Sequence, residues 1–597
     1  VQVWPETPVG KSPRDLKYRW VWSYPLVVSH HAPGTLYVGS QFVHKTTDGG
    51  STWREISPDL TTDDETKQVD SGGLTFDNVG VDYGTTLFAI GESPLEPDIL
   101  WAGSNDGLIH VTRDGGDNWT NVTVNLGGLP PWGTVSNIEA SRFAVGSAYV
   151  TVDLHQVDDR DPYVYRTNDF GASWTLITNG IPRGMLSYAH VIREDPERPG
   201  MLYLGTENTV YLSIDDGDNW VPLRNNLPPA PVHWLTIQEA YGDLVLGTYG
   251  RGFWILDDLS PLRQLDDGVL ASHAHLFEPR PAYRLLRRSL PGDPDRDGPH
   301  GYREDPPFGA PINYYLADSI VDAGGSEGDA TITIRDDFGN VVRTLHGNAS
   351  AGINRVYWDL RHEESPPVEL RTPPLGHPGV AFGPDSIGYN DKGWRELDVE
   401  GSGPNGPLVV PGKYAVEVDV GGHLLTTTLE VVKDPTSAAS KDDIRAQIDL
   451  ALRIRDQVNV LTEMGNSIEW IRKQIDDLED LMRGRSDMTE AQGAAAAFDQ
   501  KLIDLEREFY ILRTTGASEN LLRFPAGLFS HFKMLGSYVT TGDARPTSSK
   551  YEVFDELSAR LEQHREIYRS LISTDLDEFN SIARAHGLPG LAVPPQN

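Results

Sequence analysis

One short pattern recurs four times between Thr46 and Trp220. It reads Thr46-x-Asp48-x-Gly50-x-Thr52-Trp53, Thr112-x-Asp114-x-Gly116-x-Asn118-Trp119, Thr167-x-Asp169-x-Gly171-x-Ser173-Trp174 and Ser213-x-Asp215-x-Gly217-x-Asn219-Trp220. A lone Asp-Gly pair marks a turn anywhere. Four copies sharing a leading hydroxyl, an acid, a glycine and a closing Trp mark a repeat architecture. The chemistry of each copy is local. The Asp side chain accepts hydrogen bonds from N–H groups of its own turn. The glycine takes a backbone position where a side chain would clash, and the Trp packs between neighbouring sheets. These residues read as structural, and no chemistry is assigned to Asp48, Asp114, Asp169 or Asp215.

Short alternating segments precede each copy and read as strands. The first set is 25–29, 35–39 and 42 onward. The second is 86–90, 99–103 and 108–112. The third is 142–145, 148–152 and 163–166, and the fourth 190–192, 201–205 and 210–213. A fifth set, 234–237, 244–248 and 252–255, ends in Leu256-Asp257-Asp258-Leu259 where a fifth copy would stand. It reads as a closing unit. The expectation is a β-propeller over residues 1–261, complete or partial. The partial form is favoured, with further blades upstream.

A chain of 597 residues exceeds one ordinary core. Its 14 Trp, 23 Tyr, 59 Gly and 42 Pro suit many short strands and turns. A formal charge of −36 argues against nucleic acid and anionic membranes as partners. With no cysteine, disulfides, thiol catalysis and Cys-based metal sites are excluded. No stretch approaches the roughly 18 apolar residues of a membrane span. The chain starts at Val1 without a signal peptide, which reads as removal of something upstream.

Residues 262–310 read as a Pro-, Arg- and Asp-rich linker. Residues 311–434 return to β character in the order of an immunoglobulin/fibronectin-like sandwich, interrupted by a Gly/Pro-rich insertion at 363–407 that reads as a long loop. From 435 to 597 the period becomes helical. Ile444, Ile448, Leu452, Ile454, Val458 and Leu461 form one apolar stripe, and Ser440-x-x-Asp443 and Thr489-Glu490 look like helix starts. Further helices are expected over 489–513, 518–539 and 551–572, making a C-terminal helical bundle.

The repeated pattern is similar to the Asp-box, or bacterial neuraminidase repeat. The chain as a whole resembles the sortilin-type, BNR-repeat "glycosyl hydrolase" proteins of bacteria. Asp15–Trp20, His31–Tyr37, Ile56–Thr61, Gly247–Asp258, Pro306–Ala310, Gly542–Thr547 and Tyr551–Leu557 carry that resemblance. It implies an exported, extracytoplasmic protein with additional blades upstream and with the repeat turns on the outer rim. It also implies a hydrolase label that the fold does not by itself justify. A glycosidase of this kind would need two carboxylates, about 6.5–9.5 Å apart for inversion. Among 87 acidic residues the pair is not legible, so no catalytic residue is named.

Four groups are candidates for binding. Asp293, Asp295, Asp297, Pro299 and Glu304 match the calcium-loop spacing, with Gly298 at the sharp turn. They make Ca2+ the one cofactor expected. Tyr18, Trp20, Trp22 and Tyr24 alternate along one expected strand and would share a face, either a sugar platform or an interface core. Tyr249 and Arg251 stand where a propeller's central mouth would be, and Arg251 is equally placed to pair with Asp257 or Asp258. His30 and His31 are adjacent and point opposite ways on an extended chain.

The sequence therefore favours an exported, non-catalytic binding or assembly protein. Its propeller would recognise a protein, peptide or glycan. An upstream fragment of the same precursor and oligomeric assembly partners are expected. The rival reading is a glycoside hydrolase acting on a polysaccharide.

Overall fold

The computed structural model describes residues 2–79, 83–286, 307–320, 328–376, 397, 406–513 and 523–594. The chain divides into two compact units, Val1–Leu265 and Asp266–Asn597.

The first unit is a run of consecutive antiparallel meanders. The first sheet holds β1 (Leu26–Val28), β2 (Leu36–Gly39), β3 (Val43–Thr46) and β4 (Arg54–Glu55). The second holds β5 (Leu87–Glu92), β6 (Leu100–Ser104), β7 (Ile109–Thr112) and β8 (Thr120–Asn121). The third holds β9 (Thr134–Ala140), β10 (Ala148–Asp153), β11 (Tyr163–Thr167) and β12 (Thr175–Leu176). The fourth holds β13 (Ala189–Glu194), β14 (Leu202–Thr206), β15 (Val210–Ser213) and β16 (Val221–Pro222). The fifth has three strands, β17 (Val232–Gln238), β18 (Asp243–Thr248) and β19 (Phe253–Leu256), followed by the short helix α1 (Ser260–Gln264).

First strands pack on first strands: β1 on β5, β5 on β9, β9 on β13 and β13 on β17. That is the arrangement of propeller blades around an axis. The apolar cores lie between sheets. Leu87, Leu100 and Tyr37 join the first two, while Trp101, Val135 and Val150 join the second and third. Ile177, Ile192 and Leu204 join the third and fourth, and Tyr203, Val232 and Leu246 join the last two.

The four repeated turns share one hydrogen-bond pattern. Thr46 Oγ1 donates to Asp48 Oδ1 (2.7 Å) and accepts from the Gly50 N–H (3.0 Å), while Asp48 Oδ1 accepts from the Thr52 N–H (2.9 Å). The copies at Asp114, Asp169 and Asp215 repeat this. In the last three copies the glycine of the pattern, Gly116, Gly171 or Gly217, lies against the preceding sheet. A Cβ on Gly116 (φ 105°) would sit 2.3 Å from the Ile56 carbonyl oxygen, and Gly171 and Gly217 abut Val122 and Ile177. Two of the closing tryptophans tie neighbouring sheets. Trp119 Nε1 donates to Ile56 O (2.9 Å) and Trp220 Nε1 to Ile177 O (2.8 Å). Trp174 lies edge-on to buried Trp101, and Trp53 closes the turn of the first sheet.

Two expectations about strands are corrected. The third sheet begins at Thr134–Ala140, not at 142–145, which form the turn into β10. Phe143 and Ala144 are apolar but exposed in that turn, so their letters do not mark a buried strand. Residues 18–24 form no strand. A turn, with the Tyr24 N–H on Val21 O (3.2 Å), reverses the chain; Trp20 stays in edge contact with Tyr18 (6.3 Å) and Tyr24 (5.5 Å), while Trp22 leaves this group for solvent.

In the second unit, α2 (Asp267–Ala271) precedes two sheets. One is formed by β20 (Ala274–Leu276), β22 (Ala310–Leu316) and β25 (Gly352–Trp358), with β20 and β25 flanking β22. The other has the order β21 (Ala282–Arg284), β27 (His423–Lys433), β26 (Gly412–Val420), β23 (Asp329–Arg335) and β24 (Val341–Asn348), with β21 parallel to β27. Both sheets share one core, in which Ile312, Tyr314 and Trp358 meet Ile332, Val416 and Leu429. Residues 267–284, expected as linker, thus supply a helix and an edge strand to each sheet.

The helical part comprises α3 (Lys441–Met482), α4 (Thr489–Glu506), α5 (Leu528–Thr540) and α6 (Ser548–Ser570). A π-turn at Leu571–Asp575 leads into α7 (Leu576–Ala585). Ser440 and Asp443 cap α3 reciprocally. Ile454, Leu461, Ile468, Leu502, Phe532 and Phe554 lie in one core. Part of the insertion expected as a long loop is docked there. Leu370 is fully buried in the helical core, Thr372 hydrogen-bonds Glu469, and Leu375 N–H donates to Leu512 O (3.0 Å). An apolar residue among prolines needs a covering partner, and α3 provides it. Among the described residues no helix is long and apolar enough to cross a membrane.

Candidate functional site

A cavity of 1230 Å³ opens among the first strands of the first unit. Its side chains reach it for a reason visible in the strand registers. In four successive sheets the first strand slips by one residue against the second. The skipped residues are Phe88, Ser136, His190 and His233. A bulge of this kind re-aims a side chain, and all four line the cavity. At the facing end of the second strand the next residues are Asn105, Asp153, Glu207 and Tyr249, which occupy equivalent places in the same four sheets.

The third, fourth and fifth sheets fill these places with titratable groups. His190 Nε2 donates to Glu207 Oε2 at 2.8 Å, and His233 Nε2 lies 3.7 Å from the same oxygen. On its other side His190 Nδ1 is 3.9 Å from Asp153 Oδ2. Asp153 is held by the His155 ring and backbone, with Nδ1 at 2.8 Å and N–H at 2.9 Å. The rings form a continuous stack. His155 lies on Tyr188 (4.9 Å), Tyr188 meets His190 edge-on (5.2 Å), His190 faces His233 (4.2 Å), and His233 stacks on Tyr249 (5.5 Å). Burial lowers the His190 pKa, against the opposing pull of Glu207, so its imidazole favours the neutral form. Burial and the Glu207 carboxylate push the Tyr188 phenol up, leaving it a donor. Chemically the cluster offers imidazoles, carboxylates and a phenol: general acid–base groups and nitrogen and oxygen donors for a metal.

Aromatic faces line the rest of the cavity, with Tyr24, Trp132 and Trp234 among them. Trp132 is held at φ 67°, a left-handed backbone rare for a bulky residue, and Lys67 lies over its ring at 5.2 Å. Arg193 lies over Trp234 at 4.5 Å.

Of the residues expected from sequence, Tyr249 belongs to this cluster through His233. Arg251 is exposed in the following turn, where its carbonyl accepts from Trp254 Nε1 (3.1 Å). Trp20 is half-buried, stacked on His44 at 5.7 Å, whereas Trp22 is 76% exposed; neither lines the cavity. The repeat residues, Asp48 to Trp53 and their three counterparts, also lie away from it. The His31 ring contacts Ser93 O and the His30 N–H donates to Glu92, so these two histidines serve the loop. The calcium-loop residues Asp293, Asp295, Asp297, Pro299 and Glu304 lie outside the described residues.

Sequence reasoning missed His155, His190, Glu207 and His233. A signal was present. Leu202–Thr206 and Leu244–Thr248 share Leu-x-Leu-Gly-Thr. Aligning them superimposes Glu207 on Tyr249 and brings the histidines of the preceding strands to within one residue of each other, since the chain between histidine and repeat is one residue longer in the fourth sheet.

No protein-family model matches this chain, and no curated protein does. Solved structures with partial likeness include YCF48 from Cyanidioschyzon merolae, at 18% identity over 28% of this chain and 52% of that one, TM-score 0.22. An ancestral GH74 enzyme matches at 12% identity over 72% of this chain and 48% of that one, TM-score 0.30. The GH74 xyloglucanase from Xanthomonas campestris matches at 15% over 68% and 63%, TM-score 0.31. The chain spans roughly half to under two thirds of each.

Proposed function

We propose that the five-sheet unit binds a segment of a polymer, peptide or glycan, in its central cavity. On this reading the chain serves as an exported binding and assembly protein. The observation that carries it is the cavity itself. Its 1230 Å³ exceeds the roughly 300–1,000 Å³ of a small-molecule pocket. Both stacking faces (Tyr24, Trp132, Trp234) and hydrogen-bonding groups (Asn105, Ser136, Asn137) line it. The strained backbone at Trp132 is of the kind found at ligand clamps.

Glycan and peptide arrays probed with the whole chain, followed by titration of the best binder, test this. Trp132→Ala and Trp234→Ala are each expected to weaken binding by about tenfold, as loss of one stacking face does. Unchanged affinity in both variants, or no binder on either array, ends this reading.

A second reading, glycoside hydrolysis, is favoured by one observation: Glu207 and Asp153 present carboxylates to opposite nitrogens of His190. Release of reducing ends from polysaccharides, abolished in Asp153→Asn and Glu207→Gln, would establish it; no release from any of them would remove it. Membership of the sortilin-type Asp-box proteins, an immunoglobulin-like assignment for the two-sheet part, an extracytoplasmic location, partner fragments from a common precursor and calcium at Asp293–Glu304 belong to the same proposal.

A further inference from the structure

We infer that His190, Glu207 and His233 form a binding site for one divalent transition-metal ion, of which zinc is the representative, with a free coordination position toward the cavity. The inference deepens the cavity reading by naming what would grip a ligand's carboxylate or hydroxyl group. Metal binding itself does not depend on that reading.

The geometry suits a small ion. Zinc bonds to imidazole nitrogen and carboxylate oxygen at about 2.0–2.2 Å, so tetrahedral ligands stand about 3.4 Å apart. Here Glu207 Oε2 is 2.8 Å from His190 Nε2 and 3.7 Å from His233 Nε2, values on either side of that spacing. One ligand atom from each of the three residues falls within 4.8 Å of the others. Two equivalent bulges bring the imidazoles together, and the ends of β14 and β18 supply Glu207 and Tyr249 beside them. Two nitrogens and one carboxylate without thiolate suit zinc, cobalt, nickel or iron(II), and do not suit calcium, which takes oxygen ligands. Three protein ligands with a fourth position left open is the pattern of reactive zinc sites, not of closed structural ones.

The surroundings also fit. When the metal takes His190 Nε2, the single hydrogen of the neutral ring, now donated from Nε2 to Glu207, gives way and Nδ1 takes up a proton, so the ring stays neutral as the other tautomer. Nδ1 faces Asp153 at 3.9 Å. A carboxylate behind a ligand histidine fixes its tautomer and orientation. Asp153 is itself anchored by His155. His155 therefore supports the site and is not a ligand.

Isothermal titration of the chelator-treated whole chain with ZnCl₂, repeated with CoCl₂ while recording the visible spectrum, tests the inference. The expected result is one tight site and cobalt d–d bands of a four- or five-coordinate ion. His190→Ala, His233→Ala and Glu207→Gln should each abolish the tight site. Asp153→Asn should weaken it about 10–100-fold, and His155→Ala should retain it. Thermal melts identify any variant that fails to fold, and Glu207→Gln, which keeps a hydrogen-bonding partner for His190, guards against that outcome. Absence of tight binding by the unaltered chain overturns the inference. So does binding of equal strength in all three ligand variants, which would place the ion at other surface histidines. Glycan or peptide affinity measured with and without EDTA separates this from the polymer proposal: metal binding without any polymer ligand leaves the metal site standing and the polymer reading failed.

Discussion

His190 and His233 hold the same position in adjacent sheets, and their rings lie 4.2 Å apart. Each is the one residue its strand skips in pairing with the next. Glu207, from the end of β14, reaches both. The site is thus a product of repeat geometry: the same local irregularity, used twice, puts two imidazoles on one carboxylate oxygen.

The glycine of the repeated turn is expected to be intolerant where it meets the neighbouring sheet. Gly116→Ala would place a Cβ 2.3 Å from a backbone oxygen, at φ 105°. Gly49→Ala meets nothing within 4 Å and bears only the cost of φ 68°. The expected loss is about 1–2 kcal/mol for Gly49→Ala and about 3 kcal/mol or more for Gly116→Ala, where overpacking adds to the backbone cost. Urea denaturation of both variants checks this; equal losses would show that the close approach is relieved at no cost.

The acid of the turn sets a pH dependence. The Asp114 carboxyl is lowered to about 2 by the Asn118 side chain and N–H and by the Thr112 hydroxyl. A depressed folded-state value means the contribution is present above the ordinary carboxyl value of 3.8 and disappears as pH falls through about 2. The stability difference between the unaltered chain and Asp114→Ala should therefore be constant from pH 7 to about 4 and shrink below that. Denaturant melts across this range measure it, and a difference at pH 2 as large as that at pH 7 would contradict it.

Arg472 joins Glu469, Glu506 and Asp499 inside the helical part at 2.9–3.0 Å. Burial, reinforced by the Glu469 carboxylate, pushes Glu506 up, and Arg472 opposes this. Removing the arginine leaves two fully buried carboxylates facing each other. Arg472→Ala is expected to cost about 3–5 kcal/mol, and Glu506→Gln clearly less, since it removes one of the two repelling acids. Thermal and urea melts give the order, and the reverse order would show that the arginine is not the stabilising centre.

Leu370 is fully buried among the helices although it belongs to a stretch rich in proline. Leu370→Ala should lower stability by about 2–4 kcal/mol and expose residues 365–376 to limited proteolysis. Cleavage kinetics unchanged from the parent would mean that this stretch is held by its hydrogen bonds to the helical part, those of Thr372 and Leu375 among them.

What the sequence by itself determined is what depends on near neighbours along the chain. The four turns close through hydroxyl, carboxylate and N–H groups within four residues of one another. The Ser440–Asp443 cap lies within one helical turn, and most strands of the first unit alternate visibly. The tertiary structure decided the rest. Trp20 and Trp22 parted because a turn, not a strand, carries them. The first strand of the third sheet lay earlier than its apolar letters suggested. Leu370 found its partners roughly a hundred residues downstream on α3. The histidine–carboxylate cluster draws Asp153, His190, Glu207 and His233 from three sheets. A bulge is a property of two paired strands, so which side chain it turns inward is settled only when the partner strand is in place.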